Sequence, residues 1–404
     1  MTLLQLAGGQ TWPNLLPILG YRPTTVLFLT SHDPEERFAK SLEHLRNAAR
    51  LSGHDFTLEL LSTSDRQPVL RDCEEALAKL EKTPIDLVNL TGGTKAMSIA
   101  AYRFAERRGI PSFQLDTRRK DSPFDDFATG PMQNPFPKLE DIAGTITVKM
   151  ALEAQGFATP SSSKEPSVNQ LAFAVAAAEM RRDPGDDADV VKGLVNLRTA
   201  LTKDGGKDLK EKGKLREALK WPIITTPGSP WGRYLTAAAD HGIVQQLDPP
   251  HDFLLLPHDP DTAGAELLRS EAKERFQLLE GSWFELAVLA HLRAKRSFSD
   301  IRWSVEADPL RDPNANSRGE TDLVAFNTTT LNLHFISCKT TGPHSTPLDH
   351  IQGLRRRATK EGGEFSKAEL WIFRPKTAQN RRTLEDQCKE QNVSLRIFTE
   401  HPAS

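Results

Sequence analysis

Asp322 and Lys339 stand at the outer ends of two short segments that the sequence pairs as a β-hairpin. Leu323-Val324-Ala325-Phe326 is apolar and Asn327-Thr328-Thr329-Thr330 is turn-prone. Leu331-Asn332-Leu333-His334-Phe335-Ile336 then alternates before running into Ser337-Cys338-Lys339. Antiparallel pairing returns the two ends to each other and sets a carboxylate beside an ammonium. Phosphodiester hydrolysis uses both, a carboxylate to hold a cation that polarises phosphate and activates water, and an amine to neutralise developing charge. Taken alone, the same two residues also describe a pair of solvated charges.

Two neighbours favour a site. Gly281 to Leu292 is a strongly apolar helix, and Glu285 lies among its large apolar side chains, where a carboxylate is costly unless something such as a metal compensates it. Leu348 to Arg357 reads as a helix ending in Arg355-Arg356-Arg357, followed by Gly362-Gly363 and the strand Ala368 to Phe373. A basic helix beside the cleft suits a polyanion, although three consecutive arginines point in different directions and equally describe a solvated face.

This order of a helix-borne Glu, then Glu-x-Asp, then Lys at the end of the next strand resembles the PD-(D/E)xK nuclease superfamily. The resemblance implies a restriction-endonuclease-like α/β core over residues 275 to 400. Carried over by position, it makes Glu285 and Asp322 ligands of Mg²⁺ or Mn²⁺, the backbone carbonyl of Cys338 a third, and Lys339 the catalytic amine. The pattern has an acid two residues before the Lys, and here that position is Ser337, a far weaker ligand for a hard cation. Glu320 replaces that acid only if a twist or bulge turns it, because alternation sets it on the face of Asp322 one pleat earlier.

The other half of the chain alternates strand and helix. Residues 2 to 7 form a strand, Gly8 to Thr11 a glycine-rich turn, and Pro13 to Leu19 a helix that opens on proline. Strands at Thr25 to Thr30, Phe56 to Ser62, Ile85 to Leu90 and Phe113 to Leu115 enclose helices ending near Ser52, Leu80 and Arg108. A mostly parallel, doubly wound sheet follows. Thr91-Gly92-Gly93-Thr94-Lys95 joins a buried strand to a helix N-terminus, where free N–H groups and the helix dipole favour anions. Its spacing is neither that of a Walker A loop nor of a dinucleotide fingerprint, and a ligand-free turn would read the same.

With Gly9-Gln10-Thr11 and the Pro13-Asn14-Leu15-Leu16-Pro17 helix start, this half resembles the CARF domain, the Rossmann-like sensor of cyclic oligoadenylates in type III CRISPR systems. The resemblance covers about the first 155 residues, and its most specific element is Thr91 through Met97. CARF followed by PD-(D/E)xK is the architecture of a group of CRISPR ancillary nucleases. It implies a homodimer with one composite pocket for cyclic tetraadenylate or hexaadenylate, lined by Gly9, Gln10, Thr11, Ser31, Thr91, Gly92, Gly93, Thr94, Lys95 and Asp116.

The expected organisation is a CARF sensor over 1–157, a helical, winged-helix-like linker over 158–274 and a nuclease domain over 275–404. Arg181 to Asp187 and Asp204 to Lys214 read as mobile charged stretches, and Trp231 to Leu256 as a helix followed by a hairpin. A net charge of −2 argues against a cationic coat and leaves substrate contact to local patches. Three scattered cysteines fit a reducing cytosol, and the absence of a basic leader or a long apolar stretch fits a cytoplasmic protein without membrane spans. His291 reads as structural and His334 as alternating out of its strand, while His344 and His350 lie just beyond the Lys339 strand. No H-E-x-x-H or Ser-His-Asp signature marks another hydrolase class. The expectation is a metal-dependent endonuclease of antiviral defence that cleaves DNA or RNA when a cyclic oligoadenylate binds. The alternative is a ligand-gated regulator whose nuclease fold only binds nucleic acid.

Overall fold

The computed structural model describes residues 1–8, 11–32, 37–115, 124–126, 142–158, 165–203, 208–248, 251–256, 265–309, 320–340, 347–363, 366–375 and 377–400. Strands β1 (Thr2–Leu6), β2 (Thr25–Thr30), β3 (Thr57–Ser62), β4 (Leu87–Asn89), β5 (Ser112–Leu115) and β6 (Phe124–Asp126) form one sheet in the order β3-β2-β1-β4-β5-β6. All pairs are parallel except β5 with β6. Helices α1 (Trp12–Tyr21), α2 (Arg37–Leu51), α3 (Leu70–Ala78) and α4 (Lys95–Arg108) connect the strands. The central strands are apolar on both faces, as a covered parallel sheet requires. Leu3, Val26 and Phe28 join the core with α1 and α2, whereas Leu4, Leu6, Leu27 and Leu29 join the core with α3 and α4.

Helix α5 (Val148–Ala154) and strand β7 (Phe157–Ala158) close this unit. Helices α6 (Val168–Met180), α7 (Pro184–Leu201), α8 (Lys212–Lys220) and α9 (Pro230–Asp240) follow, with a small antiparallel sheet of β8 (Ile223–Ile224), β10 (Asp252–Leu254) and β9 (Gln245–Gln246) in that order. The stretch from Arg181 to Asp187 departs from the mobile segment expected of its charge. Asp183 caps α7 by accepting from the Gly185 and Asp186 amides, and Pro184 is its first residue. Arg181 is buried over the Trp283 ring and paired to Asp187 at 2.6 Å. Composition missed this because the charges neutralise one another on an aromatic floor. The described part of the second stretch is also ordered, since Lys203 donates its amide to Asp208 and α8 begins at Lys212.

Helix α10 (Ala265–Gln277) runs through a π-turn at Leu278–Ser282 into α11 (Trp283–Arg293). The second sheet, in the order β11-β13-β14-β15-β16, holds β11 (Phe298–Glu306), β13 (Glu320–Asn327), β14 (Asn332–Lys339), β15 (Lys367–Ile372) and β16 (Val393–Ile397), with α12 (Pro347–Gly362) and α13 (Ala378–Glu390). Strand β12 (Asp308–Pro309) pairs with β7. β11, β13 and β14 run antiparallel, whereas β14, β15 and β16 run parallel. One face buries Ile301, Leu323, Ala325, Ile336 and Cys338 with α11 and the middle helices. The other buries Val324, Phe326, Leu333 and Phe335 in the same core as α1, α2 and α5. Among the described residues, no helix is long and apolar enough to cross a membrane.

Candidate functional site

The hairpin forms as its pattern predicts, with Leu323 opposite Ile336 and Asn327 opposite Asn332. Continuing that register sets Asp322 opposite Ser337, where the β13–β14 ladder has ended and β14 goes on paired to β15. The Asp322 carboxylate fills the gap. Its Oδ2 accepts from the Cys338 amide at 2.6 Å and the Ser337 hydroxyl at 3.0 Å, with the Lys339 ammonium at 3.4 Å. The expected carboxylate and amine are thus in contact, and one oxygen takes all three donors.

Glu285 reaches the same cleft from α11. Its Oε2 accepts from the Trp303 indole at 2.7 Å. Burial first, and then the neighbouring Asp322 carboxylate, push the Glu285 carboxyl up to about 7, against the pull of that hydrogen bond. Glu320 lies at the cleft rim and accepts from Ser304 at 2.5 Å. Strand β13 has no bulge that turns it toward Lys339; the register shift lies in β11 between Phe298 and Asp300, and Ser304 of that strand takes a left-handed φ of 54° between the Trp303–Leu323 and Val305–Thr321 pairs without shifting the register. Gln170, Glu274, Gln277, Glu285, Trp303, Ser304, Glu320 and Asp322 line a cleft of about 400 Å³.

A cation would meet two carboxylates, one of them held near its ionisation point by burial, in a cleft with room for water. That suits a hard ion that keeps several waters. Among the described residues, however, no group of three His, Cys, Asp or Glu side chains converges as a ready-made metal site. The Cys338 thiol is buried in the core with α11, and burial pushes its pKa well up. The contribution of Cys338 is main-chain.

Sequence reasoning missed the partners that hold these groups: Trp303 on Glu285, Ser304 on Glu320, and His350, whose Nε2 lies 3.0 Å from Ser337 Oγ. His350 was legible only as a histidine near the strand end, because the helix that carries it had no fixed distance from the hairpin. His291 is buried against Trp371 and Phe398, in keeping with a structural role. His334 does not turn outward. It is buried, with Nδ1 2.6 Å from Glu369, and the β15 partner that makes this favourable lies 35 residues away. His344 lies outside the described residues.

In the first sheet, the strand order reverses direction between β1 and β4, and loops at their carboxyl ends flank the resulting crevice. Gly8 and Gly93 press together so closely that a Cβ on Gly8 would stand 2.7 Å from the Gly93 amide nitrogen. Gly92 and Gly93 have φ of 92° and 61°, which only glycine adopts cheaply. A buried amide network sets the floor. Asn89 donates to Gln5 at 2.9 Å and to the Pro13 carbonyl at 2.9 Å, while its own oxygen accepts from the Thr91 amide. Thr91 Oγ1 accepts from the Leu115 amide at 2.6 Å, and Thr94 caps α4 by accepting from Met97. Both hydroxyl oxygens are engaged, which leaves their protons to donate.

Lys95 is exposed at the first turn of α4, Ser31 follows β2, and Thr11 precedes α1 without a side-chain cap bond, its hydroxyl accepting instead from Gln155 at 2.6 Å. The structure therefore gathers Thr11, Ser31 and Thr91 through Lys95 at one sheet edge. Gly9, Gln10 and Asp116 lie outside the described residues.

The class these features define is a Rossmann-like domain joined to a second, mixed-sheet domain with a carboxylate-and-lysine cleft. Residues 2–125 match the family model described as the Card1 CARF domain. Among solved structures, protein VC1899 from Vibrio cholerae aligns with a TM-score of 0.67 at 14% identity, covering 98% of this chain and 93% of that one. Can2 from Sulfobacillus thermosulfidooxidans, solved in complex with cyclic tetra-adenylate, aligns with a TM-score of 0.65 at 17% identity, covering 99% and 96%. A type III CRISPR defence DNA nuclease activated by cyclic oligoadenylate aligns with a TM-score of 0.50 at 20% identity, covering 94% of this chain and 46% of that one. At these identities the likeness is one of fold. No curated protein sequence matches the chain.

Proposed function

We propose that this protein is a type III CRISPR ancillary nuclease whose N-terminal domain binds a cyclic oligoadenylate, cyclic tetra-adenylate foremost, and whose second domain then cleaves nucleic acid. The observation that carries the proposal is the contact of Asp322 with Lys339, in one cleft with Glu285, on a chain whose other sheet presents a CARF-matching crevice. In this reading residues 1–157 are the sensor, 158–274 a spacer and 275–404 a restriction-endonuclease-like PD-(D/E)xK domain. Thr91 to Lys95 offer hydroxyls, helix N–H groups and an ammonium to phosphate and ribose, while Gly9, Gln10, Thr11, Ser31 and Asp116 complete the pocket. A homodimer supports this use, since a two-fold axis presents equivalent loops to a cyclic ligand with matching symmetry.

In the cleft, Asp322 and Glu285 would hold Mg²⁺ or Mn²⁺, with the Cys338 carbonyl as a further ligand. When bound, such an ion supplies Lewis-acid polarisation of the scissile phosphate and a water of lowered pKa. Lys339, beside Asp322, neutralises charge on the pentacovalent phosphate. The Ser337 and Cys338 donors hold Oδ2 of Asp322, which directs its other oxygen to the cleft. Glu285 must lose its proton before it can bind a cation, so ion binding and deprotonation are linked.

Ser337 in place of an acid, and the lack of three converging ligand side chains among the described residues, favour one second reading. In it the same fold binds nucleic acid under ligand control without cleaving it. Mn²⁺ titration of the wild type and of Asp322→Ala separates the two. The nuclease reading expects saturable binding that the substitution removes, together with Mn²⁺-dependent cleavage. Ion binding indifferent to Asp322 would support the regulator.

A further inference from the structure

We propose that His350 is a positioning residue for Asp322, acting through Ser337, so that a Ser–His pair orienting Asp322 stands where the nuclease pattern has an acid at position 337. The inference rests on the nuclease reading above. Its basis is a count of protons. An ionised carboxylate only accepts, so the contact of 3.0 Å between Ser337 Oγ and Asp322 Oδ2 consumes the one hydroxyl proton of the serine. Ser337 Oγ also lies 3.0 Å from His350 Nε2, and with its own proton spent it can only accept there. The imidazole must therefore carry its proton on Nε2. This fixes a directed chain, His350 to Ser337 to Asp322, in which every donor points toward the carboxylate.

The surroundings hold that chain in place. Ser337 is buried on β14, where it pairs with Leu370 of β15, and His350 lies in the first turn of α12, whose Ile351, Leu354 and Ala358 are fully buried. Burial, followed by the nearby Lys339 charge, pushes the His350 pKa below its ordinary value, in the direction of the neutral ring. Nε2 already faces Ser337, and no three side chains converge as a metal site among the described residues, so direct ligation by His350 has no geometric support. What the pair does is fix Oδ2 of Asp322 as the closed oxygen and leave Oδ1, which takes no hydrogen bond among the described residues, to face the cleft. An acid at position 337 would offer a ligand of its own. The Ser–His pair instead sharpens the ligand already present.

The test uses the full-length protein and reads two quantities, Mn²⁺ affinity and Mn²⁺-dependent nucleic-acid cleavage, for Ser337→Ala, His350→Ala, the double variant and His350→Gln. Groups that orient a metal ligand contribute about 10- to 100-fold in affinity. Each single alanine should weaken Mn²⁺ binding by about tenfold, and the double variant should be no worse than either single, because both break one chain. His350→Gln, whose amide N–H can occupy the place of Nε2–H, should recover most of the loss, which a role in helix packing alone would not produce. Unchanged binding of cyclic tetra-adenylate and unchanged melting verify that each variant is folded. Additive losses, no loss in His350→Ala, or no recovery in His350→Gln would each overturn the inference while leaving the nuclease reading intact. A wild type that neither binds Mn²⁺ nor cleaves would overturn that reading, and this inference with it.

Discussion

Glu285 is the residue whose chemistry the fold alters most. Its carboxyl rises from an ordinary 4.5 to about 7 because α11 buries it beside Asp322. The sign follows directly. Between these values the folded state holds a proton that the unfolded chain has released, so stability is full below about 4.5 and falls as pH rises through about 7, by about 3 kcal/mol in all. Thermal melting of the metal-free protein between pH 4 and pH 8 should show this decline, and Glu285→Gln should flatten it relative to wild type. Mn²⁺ should then raise the melting temperature more at pH 8 than at pH 5, since it binds the ionised form. Glu361, also pushed up to about 7 by burial, contributes a decline of the same sign in both proteins and cancels in the comparison. Asp322→Asn and Lys339→Met should each lower cleavage by at least about 100-fold, the size of effect seen when a charge-stabilising group is removed from a reacting centre. At this scale much was legible in the sequence. Asp322, Lys339 and Glu285 announced themselves by type and order, because a carboxylate in an apolar helix and charges at strand ends break local pattern. Their partners Trp303, Ser304, Ser337 and His350 were not, since an indole, a hydroxyl or an imidazole fits its element equally well with or without a hydrogen-bonded neighbour.

Elements explain why the site falls where it does. The β13–β14 ladder ends one pair short of Asp322, and the Asp322 carboxylate takes the Cys338 amide and meets the Lys339 ammonium there. The return of Asp322 to the Lys339 end was readable from antiparallel pairing, whereas the early end of the ladder was not. The left-handed Ser304 on the neighbouring strand was not, because serine carries no signature of positive φ. Ser304→Gly should relieve that backbone yet free Glu320, so it is expected to keep stability within about 1 kcal/mol while changing Mn²⁺-dependent cleavage. The sensor loops tell the same story in reverse. Two glycine-containing turns were read from the sequence, and the structure presses one on the other, Gly8 on Gly93. Gly8→Ala should therefore displace both loops and weaken cyclic tetra-adenylate binding at least tenfold by calorimetry, with little change in Mn²⁺ affinity. Element order in this half was clear because strands buried on both faces and helix caps leave strong local marks. The helix from Pro184 to Leu201 was missed because its charges resemble a loop until Arg374 and Trp283 are placed against them.

At the scale of the whole molecule, helix α1 begins beside the crevice of the first sheet, and its first residue packs against the second sheet. Trp12 lies 5.3 Å from the ring of Phe326, four residues along β13 from Asp322, and Gln155, which donates to Thr11, lies beside Gly363 just past α12, where a Cβ would stand 3.1 Å from its Nε2. Nothing in the local sequence could show this, since residues 12 and 326 meet only when both sheets exist. Reciprocity then requires that whatever factor the activator gains for ion binding, the ion gains for the activator. Trp12→Leu, which keeps an apolar filler, should reduce that mutual factor while leaving each affinity measured alone within about threefold, whereas Trp12→Ala should cost about 3–5 kcal/mol of stability. The most direct measurement is Mn²⁺-dependent cleavage of supercoiled plasmid and of labelled single-stranded RNA and DNA, with and without cyclic tetra-adenylate, and with Lys339→Ala alongside. Cleavage of at least one substrate that needs the activator and disappears in Lys339→Ala is the predicted result. Tight activator binding with no cleavage of any substrate, or cleavage indifferent to Lys339, would contradict it.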